Sequence, residues 1–557
     1  MLFRLICSCA IILSFSSATV RGQGASQQFP LRKLILADSA AKAGAIAVGT
    51  GGETPVVVDG ITFLAGPDLA PRIAPFLGRI ISDELANALA VVIAQFAREH
   101  DVLAIEVTIA PIQDIANGVL RLVVGVGRYK DMKFSGNRWF SSKLLEQRLG
   151  IKPGDEVRLS TLESAVNWAN TNPFRQIKVL VNNLPTEPGK ADLIIGVQER
   201  LPFRFAVSVD DSGNDVIGNR RYTGSVQFGN LWGLDHQGSY QFATTDHPKV
   251  YQAHAIDYRV PLPWRHFLQF NFSYAKSHPV FPGGFVQDGE NIGASLRYMM
   301  SLRRGDRPVE AYIGVDFKEG NNNFLFSGTS VSDAKVDSFQ AVAGVTTVRR
   351  DAHGSWLFGA GLNLSPGNLN SRNTDANFQP DLNPATFRIG RIGAKARYVT
   401  GTVSVQRSQI LDRGWEFLSR TVLQVTSTNL TDNEKFAVGG SASVRGFNEN
   451  IFAGDQGFVF SNDVQSPVLR KSLPFFSKKT IPIETRFVFF YDAAQAFFKH
   501  PSAFDAKYSP LASTGLGLRL SMQNQFSLNF DYGWQITHLP RGTTEHGRGH
   551  LKVVLAF

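Results

Sequence analysis

Residues 526–536 read FSLNFDYGWQI, and large apolar side chains alternate there with small or polar ones. The final residues, 551–557, read LKVVLAF and carry apolar groups at every second position from Leu551 to Phe557. Successive side chains of a β-strand point to opposite faces, so a period of two predicts a strand with two different faces. One face is apolar or aromatic, and the other carries Ser, Asn, Asp, Gly and Gln.

Strands of this kind form the wall of a membrane β-barrel, where the apolar face meets lipid and the polar face lines the lumen. An aromatic residue at the end of such a strand is typical of the last strand of an outer-membrane barrel. From residue 203 onward the sequence divides into about sixteen antiparallel strand candidates, an even number that predicts a wide lumen. The candidates are residues 203–210, 221–229, 236–246, 249–260, 268–274, 288–301, 307–319, 335–350, 353–365, 390–408, 414–427, 456–467, 482–495, 512–523, 526–536 and 551–557.

The composition agrees with a barrel that forms part of a larger chain. A length of 557 residues predicts at least two domains. The mean hydropathy is -0.07, and outside the N-terminus no apolar run reaches the ~18 residues of a spanning helix. Only a closed barrel would then satisfy its backbone groups in lipid. The formal net charge is +10, but the basic residues are scattered through the strands, which disfavours a nucleic-acid partner.

Residues 1–18 predict a secretory signal peptide, with a basic start, an apolar stretch and a small-residue cleavage site. Cleavage there would remove Cys7 and Cys9, which are the two cysteines of the chain. The mature protein would then contain neither a disulfide nor a thiolate ligand.

Residues 19–56 form a separate N-terminal segment. Leu31, Leu34 and Ile35 recur at helical spacing, and a Gly/Thr-rich stretch follows at 44–53. This pattern predicts a helix on a linker long enough to reach the lumen, where the helix would act as a plug.

Between this segment and the barrel, the pattern predicts two small mixed modules, residues 57–128 and 129–201. The predicted helices are residues 81–98, 142–149 and 159–170, and the predicted strands are residues 103–109, 119–124, 132–134, 177–181 and 191–198. Modules of ~75 residues are too small to hold a large pocket. They usually bind polypeptides, most simply by adding a strand to an open sheet edge, or act as spacers.

Motifs in these modules resemble the POTRA domains of two-partner secretion transporters, the TpsB family of the haemolysin-activator and filamentous-haemagglutinin-transporter type in the BamA superfamily. Gln113-Asp114-Ile115, followed by Gly118, is similar to the signature of the family's first POTRA domain. The second module is similar to the second POTRA domain at Pro153-Gly154-Asp155 and at Asp192-Leu193. The family often has a Gly-aromatic pair where this chain has His100-Asp101.

The barrel region, 202–557, carries two further motifs of that family. Val444-Arg445-Gly446-Phe447, in the long loop 428–455, resembles the VRGF/Y motif. Phe490-Tyr491-Asp492-Ala493 resembles the following motif, whose Asp faces the lumen, although Ala494 stands where the family usually has Gly. The resemblance covers about residues 57–557.

The resemblance implies a membrane β-barrel of about sixteen antiparallel strands preceded by two α+β periplasmic POTRA domains. Its expected place is the outer membrane of a Gram-negative-type bacterium. The implied function is recognition and export of a large secreted exoprotein, expected to be β-helical, with Gln113, Asp114, Ile115 and Gly118 in the partner-binding region. Other partners would be outer-membrane lipid and the barrel-assembly machinery during biogenesis. A barrel-assembly factor of the BamA type and a passive porin remain alternatives.

The alternation of residues 482–495 permits a physical prediction about the long loop. It places Asp492 on the lumen face, where a carboxylate requires a cation and a bidentate arginine fits best. If the loop folds inward, Arg445 would bind Asp492 and tie the loop to the wall. Gly446 would let the tip turn sharply, and Phe447 would pack against the wall.

The sequence contains none of the common catalytic motifs, such as Gly-x-Ser-x-Gly, a Walker loop or HExxH. His546 and His550 stand four residues apart, but in an extended strand their side chains would be more than ~12 Å apart. We therefore predict no enzyme activity, no catalytic residue, no metal site and no cofactor.

Overall fold

The computed structural model describes residues 28–46, 54–184, 187, 189–213, 217–278, 280–281, 285–303, 307–326, 329–332, 335–383, 390–475, 479–503, 505, 510–523, 525–537 and 546–557. The chain divides into two compact units, Met1–Leu201 and Pro202–Phe557. The predicted signal peptide, residues 1–18, lies outside the described residues. Within the described ranges, no helix is long and apolar enough to cross a membrane.

The N-terminal unit begins with a domain built on a four-stranded sheet. In spatial order its strands are Val56–Asp59, Lys33–Ala37, Val119–Val126 and Ile105–Ile109. Its helices are Ala40–Ala45, Ala70–Ile73 and Asp83–Glu99, with 3-10 turns at Thr62–Leu64, Ala74–Phe76 and Ile115–Asn117. The long helix starts where Ser82 Oγ accepts a hydrogen bond from the Leu85 N–H, 3.2 Å away, and it buries Leu89, Ile93 and Phe96 in the core.

The predicted plug helix is wrong for the described part of the N-terminal segment. Lys33–Ala37 is instead an inner strand of this sheet, parallel to both Val56–Asp59 and Val119–Val126. Such a strand is buried on both faces, so its sequence shows no alternation of apolar and polar residues. The spacing of Leu34 and Ile35 therefore resembles that of the apolar face of a helix. The first domain therefore extends N-terminal to the predicted boundary at residue 57, while residues 47–53 of the predicted linker lie outside the described residues.

We expect Leu34→Asp to unfold the first domain and to leave the barrel folded. Leu34 is 0% exposed, and an unpaired carboxylate at such a position costs several kcal/mol. Limited proteolysis should cleave the N-terminal unit faster, while the barrel keeps its heat-modifiable migration on gels. Val91→Asp, at a position 44% exposed on the long helix, is the matched control and should leave proteolysis unchanged. Unchanged proteolysis with a raised conductance in planar bilayers would instead support a plug.

The second domain of the N-terminal unit is a three-stranded sheet with two helices. Its central strand, Lys190–Glu199, runs parallel to Arg128–Ser135 and antiparallel to Arg175–Asn183. The helices Ser142–Leu149 and Leu159–Ala169 pack on this sheet through one apolar core. Among the residues that the structure describes, each of the two outer strands therefore has one edge that is not paired within this sheet.

Sixteen antiparallel strands of the described residues close into a barrel. The sixteen strands are Phe203–Asp210, Arg221–Leu231, His236–Thr245, Tyr251–Pro261, Phe267–Ser277, Phe285–Arg303, Val309–Phe326, Lys335–Asp351, Gly354–Pro366, Arg397–Ile410, Glu416–Thr426, Gln456–Gln465, Lys479–Phe497, Leu511–Met522, Phe526–Gln535 and Gly547–Ala556. The last strand pairs with the first from Lys552↔Asp210 to Ala556↔Ala206. Short strands at Val280–Phe281, Thr329–Ser332 and Leu469–Phe475 extend three hairpins.

The predicted barrel and its strand count are confirmed. The prediction fails mainly at strand ends. The tenth strand starts at Arg397 rather than at the predicted residue 390, and other strands continue through polar residues beyond the apolar alternation. Val309–Phe326, for example, extends past the predicted end at residue 319 through Gly320 and three asparagines. The two faces are as predicted along Lys479–Phe497, where Phe487 is 55% exposed and Val488 is 2% exposed.

The two rims of the barrel differ in their connections. The first strand starts directly after the N-terminal unit, and we call the rim at Phe203 the N-terminal rim. Because the strands alternate in direction, the short connections at 232–235, 262–266 and 352–353 lie at this rim. The long connections at 367–396 and 427–455 lie at the opposite rim, and the first contains the short helix Asp375–Phe378.

Candidate functional site

The loop between the eleventh and twelfth strands, residues 427–455, contacts side chains on the inner face of the barrel wall, and we call it the inner loop. It begins one residue earlier than predicted, because the preceding strand ends at Thr426. A 3-10 turn at Asp432–Glu434 is followed by a small hairpin in which Phe436–Val438 pairs with Phe452–Gly454. The residues between the hairpin strands form the tip of the loop.

The base of the inner loop is fixed by two buried carboxylates. Asp455 is 0% exposed and accepts hydrogen bonds from the backbone N–H groups of Leu430, at 2.8 Å, and Lys499, at 2.9 Å. Glu434 accepts hydrogen bonds from Lys318 Nζ at 2.9 and 3.0 Å, one to each carboxylate oxygen. These contacts join the loop base to the wall and to the connection that follows the thirteenth strand.

The tip of the loop is bound to the wall through Arg445 and Asp492. Arg445 Nε donates to Asp492 Oδ2 at 2.7 Å, and Nη2 donates to Oδ1 at 2.8 Å. The Arg445 backbone N–H also donates to Oδ2, at 3.1 Å. Asp492 is 0% exposed and Arg445 is 6% exposed, so the pair is shielded from water. This two-pronged, charge-assisted geometry is the strongest way for an arginine to hold a carboxylate.

Two further carboxylates surround the same guanidinium group. Asp463 Oδ1 accepts from Arg445 Nη2 at 2.7 Å, and Asp531 Oδ1 lies 3.7 Å from Nη1. A second arginine, Arg519, binds both oxygens of Asp531 at 2.8 and 2.9 Å. The ring of Phe490 covers the Arg445 guanidinium, with its centroid 3.7 Å from Cζ. Arg445 is therefore the cation that two wall carboxylates share and a third approaches.

Gly446 brings the loop backbone into contact with the wall backbone. Its φ is +93°, and a Cβ there would lie 2.7 Å from Gly533 O, closer than a real side chain can approach. The Gly446 N–H donates to His550 Nε2 at 3.1 Å, and Gln535 Nε2 donates to the Gly446 carbonyl oxygen at 2.7 Å. Both the conformation and the close approach therefore require glycine at position 446.

We expect Gly446→Ala to displace the tip from the wall and to raise single-channel conductance in planar bilayers. The added Cβ overlaps the Gly533 carbonyl and also strains a positive φ. The matched control is Gly233→Ala, because Gly233 has φ +70° but nothing lies within 4 Å of the place that its Cβ would take. Equal conductance in the two variants would show that contact with Gly533 does not hold the tip.

The residues on either side of Arg445 and Gly446 anchor the tip by apolar packing. Val444 and Phe447 are both 0% exposed. They form one buried cluster with side chains of three wall strands and of the loop hairpin, namely Val438, Val459, Ala494, Ala496 and Leu511. Ala494, which replaces the family's glycine, lies in this cluster.

The structure thus brings together Val444, Arg445, Gly446, Phe447 and Asp492. Sequence analysis missed further wall residues that contact Arg445 or Gly446, among them Asp463, Asp531, Gln535 and His550. The alternation of apolar and polar residues could have placed them in the lumen, because the exposed residues that alternate with them on the same strands are apolar and face outward. In the structure, Ser461 and Ser513 on the two neighbouring strands pair directly with Asp492.

The motif of the first domain, Gln113-Asp114-Ile115 with Gly118, forms a turn between two strands that side-chain hydrogen bonds hold in place. Gln113 Nε2 donates to the carbonyl oxygens of Ala110, at 2.8 Å, and Arg121, at 2.7 Å. Its Oε1 accepts from the Arg121 N–H at 3.0 Å. Asp114 Oδ1 accepts from the Asn117 side-chain amide at 2.9 Å. Gln113 and Asp114 therefore hold the turn in one shape.

Gly118 and Ile115 occupy the same turn. Gly118 has φ +75°, and a Cβ there would lie 2.6 Å from the Pro30 carbonyl oxygen. Its own carbonyl accepts from the Arg32 N–H at 2.7 Å, which ties the turn to the start of the N-terminal strand. Ile115 is half-buried, whereas its neighbour Ile112 is 65% exposed.

Among the described residues, no three His, Asp or Glu side chains converge as a metal site would require. His550 instead serves the inner loop as a hydrogen-bond acceptor. The neighbouring carboxylates are occupied by arginines.

A closed sixteen-stranded barrel with an inner loop, preceded along the chain by two small α+β domains of the POTRA type, defines the class of outer-membrane β-barrel proteins. A family model described as haemolysin secretion/activation protein ShlB/FhaC/HecB matches residues 189–520, more than half of the chain. The chain belongs to this family of two-partner secretion transporters, and it lies in the outer membrane.

Individual relatives are distant. The outer membrane transporter CdiB of Dickeya dadantii (strain 3937) is 23% identical over 377 residues, which are 64% of this chain and 63% of that protein. The heme/hemopexin transporter protein HuxB of Haemophilus influenzae (strain 86-028NP) is 21% identical over 485 residues, covering 83% of this chain and 79% of that protein. The match to the Dickeya protein thus spans less than two thirds of its length.

Two solved structures share the fold. CdiB from Escherichia coli has a TM-score of 0.69 at 16% identity and covers 98% of this chain and 93% of its own. BamA from Haemophilus ducreyi lacking POTRA domains 1-3 has a TM-score of 0.53 at 15% identity, with 91% and 99% coverage.

Proposed function

We propose that this chain captures a large secreted polypeptide in the periplasm and exports it through the barrel to the cell surface. The observation that carries the proposal is the inner loop, whose tip is held against one side of the lumen wall by Arg445. A buried, multiply bonded loop inside a wide barrel suits a regulated conduit better than a passive porin.

The rest of the wall offers a suitable surface for a moving chain. Asp257, Arg259 and Arg297 are charged, but most other inward side chains of Tyr251–Pro261, Phe267–Ser277 and residues 288–303 are small or uncharged polar groups. They include Ala253, Ala255, Gln269, Asn271, Ser273, Gly293 and Ser295. Such groups bind an unfolded polypeptide weakly and without sequence preference, because they offer neither strong charge nor large apolar area.

Capture is assigned to the two POTRA domains. In both sheets the outer strands, among them Ile105–Ile109 and Arg175–Asn183, have one edge that is not paired within the described part of the sheet. An extended segment of the partner would add to such an edge through backbone hydrogen bonds. In this proposal Gln113, Asp114, Ile115 and Gly118 set the shape of the turn beside the first of these edges.

Direction follows from where the partner folds. A chain that enters unfolded and folds outside cannot return, so its folding free energy drives export. A large β-helical exoprotein suits this mechanism, since it can fold turn by turn as it emerges. We assign no catalytic step to the chain.

Reconstitution tests the proposal. Purified protein in proteoliposomes should transfer a urea-denatured candidate exoprotein, sought first among the genes that neighbour this one, into a protease-protected compartment. Empty liposomes serve as the control. If the proteoliposomes instead insert an unfolded porin into their bilayer and do not transfer the exoprotein, the chain is a barrel-assembly factor and the proposal is wrong.

A further inference from the structure

A row of basic and aromatic side chains crosses the outer face of the barrel at the N-terminal rim. Trp356 is paired with Arg349 on one neighbouring strand and with Arg407 on the other. Trp356 is 37% exposed, and Phe358, two residues along the same face, is 38% exposed. The three paired residues therefore lie on the lipid-facing side of the wall, where the strands leave the membrane.

The row continues onto a fourth strand. The Val348 N–H donates to the Pro308 carbonyl oxygen at 3.4 Å, which extends the ladder between Val309–Phe326 and Lys335–Asp351 by one step. Arg307 precedes Pro308 and Arg349 follows Val348, so the two arginines lie near each other at this rim. Both are exposed. Neighbouring like charges repel each other, and an anion bound between them would relieve that repulsion.

The two ends of the row differ in how their charge is balanced. Arg407 binds Asp351 through two hydrogen bonds, of 2.6 and 3.2 Å, and its Cζ lies 5.0 Å from the Trp356 ring centroid. Arg307 and Arg349 form no ion pair with a carboxylate among the residues that the structure describes. One end is neutral, and the other carries two uncompensated cations.

The surface next to the row is apolar. Moving away from the N-terminal rim on the same face, Val345 is 40% exposed, Phe358 is 38% exposed and Val403 is 49% exposed. The row thus stands where the hydrocarbon band ends and lipid headgroups begin, a depth at which tryptophan and arginine are both favoured.

We propose that this row binds an anionic phospholipid of the periplasmic leaflet. The lipid phosphate would lie between Arg307 and Arg349 and accept hydrogen bonds from both guanidinium groups. Trp356 would sit at the glycerol level, and the acyl chains would follow Val345 and Phe358. The site holds the barrel at a defined depth and relieves the repulsion between the two arginines.

Native mass spectrometry of the full-length protein in detergent tests the site, with phosphatidylglycerol and phosphatidylcholine as probes. The double variant Arg307→Gln/Arg349→Gln should bind phosphatidylglycerol roughly twenty-five-fold more weakly, since each interfacial arginine contributes about a factor of five. Binding of phosphatidylcholine should not change. Arg413→Gln, which removes an exposed arginine from another turn of the same rim, is the matched control and should bind as the unsubstituted protein does.

Two further measurements keep the test decisive. Arg307→Lys/Arg349→Lys retains both charges and should keep the preference for phosphatidylglycerol, and heat-modifiable migration shows that every variant is folded. Inorganic phosphate at millimolar concentration should not displace the lipid, because it lacks acyl chains. Equal phosphatidylglycerol binding by the glutamine variant and the control, or displacement by phosphate alone, would overturn the proposal.

Discussion

Replacing Arg445 with alanine is expected to reduce export of the secreted partner strongly, to a low but measurable rate, while leaving a folded barrel. The substitution removes the cation shared by Asp492 and Asp463, and leaves two carboxylates close together in a shielded site. Removing one partner of a buried pair costs about 3–5 kcal/mol, and less where lumen water screens it. That is enough to release the tip of the inner loop. Secretion into the medium measures the effect, and heat-modifiable migration reports the barrel.

Asp492→Ala should be the milder of the two changes. Arg445 would keep Asp463 at 2.7 Å and Asp531 at 3.7 Å, so its charge would remain compensated. Arg486→Ala is the matched control, because Arg486 lies on the same strand and binds Glu416 on the wall at 2.7 Å without touching the tip. An export loss in the control equal to that of Arg445→Ala would mean that any lumen charge matters, and the assigned role of Arg445 would be wrong.

Deleting residues 33–126 is expected to abolish export, for a different reason. This segment contains all four strands of the first POTRA domain, including Lys33–Ala37 and Val56–Asp59, which the sequence pattern did not predict. Loss of the domain removes one of the two sheets proposed to capture the partner. The barrel should still assemble, because its strands pair only with one another.

Three measurements on the deletion variant separate capture from assembly. Secretion should be lost, heat-modifiable migration should remain, and channel conductance in planar bilayers should equal that of the intact chain. Retained secretion would show that the first POTRA domain is dispensable, and the capture mechanism would fail.

The barrel could be predicted from sequence because lipid imposes a strict rule on its wall. Outward positions must be apolar, so Phe487, Phe489 and Tyr491 alternate visibly with the lumen residues between them. The ends of strands such as Val309–Phe326 could not be predicted, since beyond the membrane the pairing continues without an apolar face.

The site could be predicted only in part. Alternation and charge placed Asp492 in the lumen and suggested Arg445 as its partner, but they could not show which strands the loop reaches. Contacts with His550 and Gln535 depend on the closed ring of strands, which joins residues about a hundred positions apart. The strand Lys33–Ala37 escaped prediction because an inner parallel strand has no polar face to reveal its period.

The account rests on one claim, that Arg445 and Asp492 act as a single unit in export. A double-mutant cycle measures this claim directly, using initial secretion rates of the unsubstituted protein, Arg445→Ala, Asp492→Ala and the double variant. Removing Asp492 from the Arg445→Ala protein also removes a repelling carboxylate, so the double variant should be no worse than Arg445→Ala alone. If the logarithms of the two single losses add in the double variant, the residues are not partners and the anchored inner loop does not control export.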